Sequence, residues 1–170
     1  MNPAWLAPVA LVLAACSQGT PSSGAAPGTG TTATAYEQRV LELTNQARAQ
    51  ARACGTKSFA AAPSVTFNAN LRTAAYRHSK DMADRNYFSH TNPDGLNPFQ
   101  RMQNAGYTNY RAAAENIAAG QTTPEQVMDG WLKSPGHCEN IMNPNLRELG
   151  VGYHRGGSYG HYWTQNFGTR

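Results

Sequence analysis

From Thr34 onward the apolar positions recur every three to four residues, and near the end of the chain that period shortens to two. Thr34-Ala35-Tyr36-Glu37 reads as a capping box. Behind it Tyr36, Val40, Leu43, Ala47 and Ala51 predict a helix that Gly55 ends just after Cys54. The extended piece Ser64-Val65-Thr66-Phe67 leads to Asn68, the cap of a second helix. That helix carries Leu71, Ala74, Ala75, His78 and Met82 on one face and ends near Asn86. Asn92-Pro93-Asp94-Gly95 is a turn. Asn97 and Pro98 open a short third helix with Phe99 and Met102 on its apolar side, closed by Gly106. A fourth begins at Thr123, Pro124 and Gln126 with another capping box and buries Val127, Met128, Trp131 and Leu132. Ser134 and Pro135 stop it and start a further helical turn through Ile141. The alanine-rich segment from Ala112 to Gly120 shows neither period and takes no assignment.

The alternating stretches ELGVGYHR and GHYWTQNFG flank Gly156-Gly157-Ser158 and predict a hairpin. Helices in the middle, strands at the end and one early extended fragment point to an α+β fold with helices layered on an antiparallel sheet.

Composition changes the picture mainly at the beginning of the chain. The apolar run MNPAWLAPVALVLAAC is too short to span a bilayer but has the length of a signal-peptide core, although no Lys or Arg leads it. The small residues before Cys16 form a lipobox pattern, which expects cleavage and lipidation at Cys16; an ordinary secretory signal is the other reading. Both expect export. Residues 17–35 hold no charge and almost nothing large, so they cannot bury enough apolar surface to offset chain entropy. The expected organisation is a lipoprotein-type signal peptide over 1–15, a flexible tether over 16–35 and one folded domain over 36–170. The net charge of +4 belongs wholly to that domain. It is spread out, with no Lys/Arg run to make a nucleic-acid groove. With Cys16 given to lipid, Cys54 and Cys138 remain, and in an oxidising compartment they are expected to form a disulfide. That bond would fasten the His137 loop to the end of the first helix.

Candidate chemistry is sparse. His78, on the apolar face of the second helix, reads as a core histidine bonded to backbone or a neighbour. His90, in a Ser-His-Thr loop, and His137, after a Pro-Gly turn, are placed to turn into a cleft. Glu115 stands alone among alanines and asks for a partner, whether imidazole, arginine or cation. Two imidazoles and a carboxylate are a recurrent shell for zinc and related divalent ions. No serine has a histidine and an acid at a known nucleophile spacing.

The ordered motifs YFSHTNPDG, AENIAAG, SPGHCENIMNP and LGVGY…YWTQNFG resemble the bacterial branch of the CAP superfamily, which takes in cysteine-rich secretory proteins, antigen 5 and pathogenesis-related 1 proteins and whose domain is also called SCP. The resemblance implies a three-layer α-β-α sandwich with a central cleft, placement outside the cytoplasm and, in many members, a divalent ion. Carried over, it gives His90, Glu115 and His137 as the metal set, zinc first among the ions. The family's other histidine sits in a Gly-His-Tyr-Thr-Gln pattern. Here Gly160-His161-Tyr162-Trp163-Thr164-Gln165 has one residue more, which puts Tyr162 rather than His161 at the cleft position. The functional expectation is a monomeric binding module for a small molecule, lipid or cell-envelope component, touching the membrane only through its lipid. A metal-assisted hydrolase and a purely structural envelope protein are the alternatives.

Overall fold

The computed structural model describes residues 32–170. The apolar leader, Cys16 and the tether up to residue 31 lie outside the described residues. The chain runs α1 (Ala35–Arg48), β1 (Arg52–Cys54), β2 (Lys57–Phe59), β3 (Thr66–Phe67), α2 (Ala69–Asp84), α3 (Pro98–Asn104), β4 (Ala112–Ala119), α4 (Pro124–Lys133), α5 (Pro135–Met142), β5 (Glu148–Gly156) and β6 (Gly160–Thr169). β1 and β2 form a hairpin of their own. The central sheet has the order β3-β5-β6-β4, antiparallel throughout except for the two-residue edge strand β3, which runs parallel to β5.

Three layers follow from the alternation of β6. Trp163 and Phe167 point into the larger core, which they share with Val40 and Ala47 of α1, Val127 and Trp131 of α4 and Ile141 of α5. Tyr162 points the other way, to Met82 and Ala83 of α2, while Leu71 and Ala74 of α2 meet Met102 of α3 and Tyr107 on that same side. The segment Ala112–Ala119, which carries no period, is a strand because β6 pairs with it along its whole length, from Ala112↔Thr169 to Ala119↔Tyr162. Pairing and burial override the weak strand preference of alanine.

The depth of α2 is set by two glycines. A Cβ on Gly150 would lie 1.9 Å from the backbone nitrogen of Arg72, and one on Gly152 would lie 2.2 Å from Ala75 C and Tyr76 N. The motif LGVGY thus lets a helix rest on bare strand backbone, while Val151 between the glycines packs on the opposite face.

α1 is shorter than its apolar spacing predicts. It ends at Arg48, and Cys54 lies on β1, whose turn into β2 uses Gly55 at φ 62°. Arg48 explains the stop. It is fully buried, and its guanidinium donates to the carbonyls of Pro63 (2.7 Å), Ile141 (2.6 Å), Asn143 (3.0 Å) and Leu146 (2.9 Å). The last turn of α1 is thereby fixed against the end of α5, where a cation also suits the helix dipole. Burial and the nearby Arg147 lower its pKa to about 10. Phe99, expected on the buried side of α3, is instead 43% exposed, and Met102 alone of that pair is buried.

Cys54 and Cys138 are bonded, so the bridge ties α5 to the β1–β2 hairpin rather than to the end of a helix. On the chain-entropy model, linking positions 84 residues apart contributes about 4 kcal/mol.

Gly150→Ala and Gly152→Ala are each expected to cost about 3 kcal/mol or more, or to prevent folding, because backbone and not a flexible side chain blocks the added methyl. Gly136→Ala in α5 meets nothing within 4 Å. It should leave stability unchanged or raise it by about 1 kcal/mol in urea titrations.

Candidate functional site

Glu115 lies in β4 directly across from Asn166 of β6, its side chain on the α2 side of the sheet. Buried among small residues, the carboxylate needs neutralisation and donors. Arg101 of α3 supplies both: its Nη2 lies 2.9 Å from Oε1 and 2.8 Å from Oε2. Asn166, its amide oriented by its neighbours, donates to Oε2 at 3.0 Å and accepts from the Ala75 nitrogen. The remaining side of Oε1 faces His90 Nδ1 at 2.9 Å.

The position of His90 is determined by the same arginine. Asn97 and Gln100 close a full capping box on α3, which puts Arg101 in the first turns of the helix facing the loop before it. Its Nη1 donates to the carbonyls of His90 (2.7 Å) and Leu96 (2.8 Å), the two ends of the 90–96 loop. Inside that loop Asn92 and Leu96 exchange bonds, and Gly95 at φ 81° closes the turn onto the Asn92 carbonyl. From below, the His78 ring bonds the Ser89 carbonyl through Nε2 at 3.0 Å. A carbonyl only accepts, so Nε2 of His78 carries the proton. A carboxylate paired with a guanidinium likewise accepts, so Nδ1 of His90 carries a proton toward Glu115, and the side chain is 49% exposed.

His137 enters from the other layer. It lies in the first turn of α5, beside Cys138, and its carbonyl accepts from Asn116 Nδ2 at 3.2 Å. Asn140, one turn on, donates to Asn116 Oδ1 at 2.9 Å. Asn116 also donates to Gln165 at 3.1 Å, so α5 is anchored to β4 and β6 through amides. The His137 imidazole is half-buried and its pKa is lowered, first by burial and then by charge on His90. His161 and Tyr162 take opposite faces. His161 accepts or donates at Tyr153 Oη (2.8 Å) on the α1 side. Tyr162 shares Glu115's side but is wholly buried in the core and offers no surface to a cleft.

A family model described as the cysteine-rich secretory protein family matches residues 41–167. The chain belongs to that family. It is 43% identical over 133 residues to the uncharacterized protein YkwD of Bacillus subtilis, covering 78% of this chain and 47% of that protein. A 1.5 Å crystal structure of an extracellular SCP-domain protein from Bacillus anthracis is 32% identical with a TM-score of 0.65, covering 79% of this chain and 40% of that one. An outer surface protein of Borrelia burgdorferi shares the fold at 19% identity and a TM-score of 0.62, covering 79% of this chain and 89% of that one. The chain thus spans about half or less of the length of the two Bacillus proteins.

Glu115 is engaged by Arg101, Asn166 and His90, and among the described residues no group of three or more His, Cys, Asp or Glu side chains comes together as a cation site. Glu115 stands behind His90 and fixes the orientation of its ring. Arg101 and Asn166 belong to the cluster as well, beyond the residues the sequence motifs mark. Glu115's need for a counter-charge was the available sign, but nothing in the spacing singled out Arg101.

His78 gives this domain a pH signature. Burial, the largest effect, lowers its pKa to about 4 despite the opposing pull of Glu115. The folded state therefore holds it neutral. The associated stability is full above the unfolded value near 6.5 and is lost as pH falls toward 4. Wild type should lose about 2.5 kcal/mol more than His78→Gln between pH 7 and pH 4.5 in urea unfolding, since the other histidines are common to both.

Proposed function

We propose that this chain is an exported binding module that presents the outer edge of His90 and the imidazole of His137 to a small molecule, lipid or cell-envelope component. The observation that carries the reading is the engagement of both Glu115 oxygens by Arg101 and His90, which leaves no free carboxylate to act as a general base. Cys54 and Cys138 are in a disulfide, so neither offers a thiol nucleophile. Ser89, adjacent to His90, has its hydroxyl oxygen accepting from the Thr91 nitrogen at 3.2 Å.

The disulfide supports placement outside the cytoplasm, as do the descriptions of the Bacillus anthracis and Borrelia relatives as extracellular and outer-surface proteins. The lipobox pattern at Cys16 supports a lipid anchor as the membrane attachment. Among the described residues no helix is long and apolar enough to cross a membrane. Where a divalent ion such as zinc is supplied, His90 Nε2 and His137 are its donors, and Glu115 acts from behind His90. A monomer suffices for this role, and the scattered positive charge gives no nucleic-acid groove.

The test is a calorimetric zinc titration paired with melting curves in zinc and in chelator. Zinc binding should be lost in His90→Ala and in His137→Ala, and weakened about tenfold or more in Glu115→Gln. A fluorogenic peptide library incubated with the zinc-loaded chain should yield no product. Cleavage that disappears in Glu115→Gln would favour the hydrolase. A melting temperature that drops equally in zinc and chelator for His90→Ala, without zinc binding in wild type, would reduce the cluster to a structural brace.

A further inference from the structure

Strands β5 and β6 meet in a tip, residues 156–160, that is pressed onto the end of α2. The Ser158 N–H donates to Asn86 Oδ1 at 2.8 Å, and a Cβ on Gly157 would lie 2.6 Å from the Ala83 carbonyl oxygen. Tyr159 stands edge-on to the buried Tyr162, with ring centroids 5.8 Å apart, and its outer neighbour is Phe88 at 6.2 Å. Both rings of this outer pair are open to solvent, Phe88 at 46% and Tyr159 at 55%. Two adjacent aromatic rings held in this way lose little conformational freedom on meeting a partner.

The uncompensated charge at this end is positive. Arg155 is exposed and makes no ion pair or side-chain hydrogen bond among the described residues, while Asp84, at the end of α2, is paired with Lys80. The chain also enters the domain here. Thr34 caps α1, and the Tyr36 ring lies 5.2 Å from Tyr153 and stacks on Trp163 at 6.0 Å. Tyr153 and Trp163 are partners across β5 and β6, each three residues from the tip, or about 10 Å. The other exposed phenylalanines lie elsewhere: Phe67 pairs with Leu149 at the far end of β5, and Phe99 belongs to α3.

We propose that this tip rests on an anionic lipid bilayer, with Phe88 and Tyr159 at headgroup level and Arg155 against the lipid phosphates. The proposal deepens the reading of an exported, membrane-attached module and rests on it for the lipid at Cys16. Cys16 precedes Thr34 by 18 residues, which span at most about 60 Å, so an anchored domain stays at high local concentration over the membrane. Aromatic rings are favoured at the membrane–water interface, and a cation is drawn to anionic headgroups. Such contacts are weak for a free domain but sufficient to choose which end of a tethered one faces the lipid. Phe88 lies two residues before His90, so this end brings the exposed His90 side chain toward the headgroups.

The experiment records ¹H–¹⁵N spectra of the intact chain with saturating bicelles of phosphatidylcholine, with and without phosphatidylglycerol, that carry a nitroxide lipid. The amides of Phe88, Ser158 and Tyr159 should broaden, while those of Phe67 and Phe99 stay sharp. Phe88→Ser combined with Tyr159→Ser removes only exposed rings and should cut the broadening at Ser158 about fivefold or more. Arg155→Gln should remove the excess broadening that phosphatidylglycerol gives over phosphatidylcholine alone. A mass spectrum of Cys16 reads the anchor separately. An acylated chain with a sharp tip overturns the docking alone, and an unacylated chain with a broadened tip supports it without the anchor. The proposal is also overturned if Phe67 or Phe99 broadens as strongly as the tip, if the double variant broadens as wild type does, if Arg155→Gln keeps the phosphatidylglycerol excess, or if soluble peptidoglycan fragments shift the tip amides and bicelles do not.

Discussion

The arrangement around the site depends on one buried carboxylate and the guanidinium that neutralises it. Glu115 stands on a strand otherwise rich in alanine, where an unpaired charge would cost several kcal/mol. Arg101 answers that charge with Nη2 and holds both ends of the 90–96 loop with Nη1. One side chain thus fixes the electrostatics of β4 and the path of the loop that carries His90. The capping box at Asn97 and Gln100 starts α3 where Arg101 can reach, and Met102, buried against Leu71, Ala74 and Tyr107, keeps it there.

A second constraint works at the level of backbone. Gly150 and Gly152 let α2 sink onto β5, and at that depth Ser79 bonds both the Gly152 carbonyl and Thr164 at 2.9 Å. One residue before Ser79, His78 reaches the Ser89 carbonyl and comes within 4.0 Å of Glu115. Two missing side chains on a strand therefore govern how high the floor of the His90 loop stands. The buried ion pair of Arg72 with Glu37 sits at the same contact, where Glu37 also caps α1 and accepts from the Tyr153 nitrogen.

Sequence reasoning read the helices well where local chemistry decides them. Asn68, Asn97 and Thr123 are caps whose side chains close the first turn, and Pro98, Pro124 and Pro135 enter where a missing N–H costs nothing. It read less where distant partners decide. The Ala112–Ala119 strand exists because β6 lies beside it, and α1 stops short because Arg48 binds carbonyls far along the chain. The pairing of Cys54 with Cys138 followed from cysteine arithmetic. The element that holds Cys54 did not, because a helix period continuing through Ala51 conceals a turn made by Gly55. For the site, the meeting of His90 with Glu115 was legible from residue types and motif order. The guanidinium that holds both was not, because an arginine on a short helix carries no periodic mark.

The three histidines nearest the site occupy three different physical regimes. His78 is sealed, and its burial keeps it neutral, so its imidazole serves as a fixed donor. His90 is held from behind by a carboxylate that itself is held by an arginine, and its side chain is 49% exposed. His137 is half-buried, with charge on His90 disfavouring its own. For Glu115 to accept a proton from a substrate it would have to give up one of the bonds that occupy its oxygens, to Arg101, His90 or Asn166. A carboxylate so fully engaged holds the imidazole beside it in one orientation. The carboxylate is therefore better placed to orient His90 than to react.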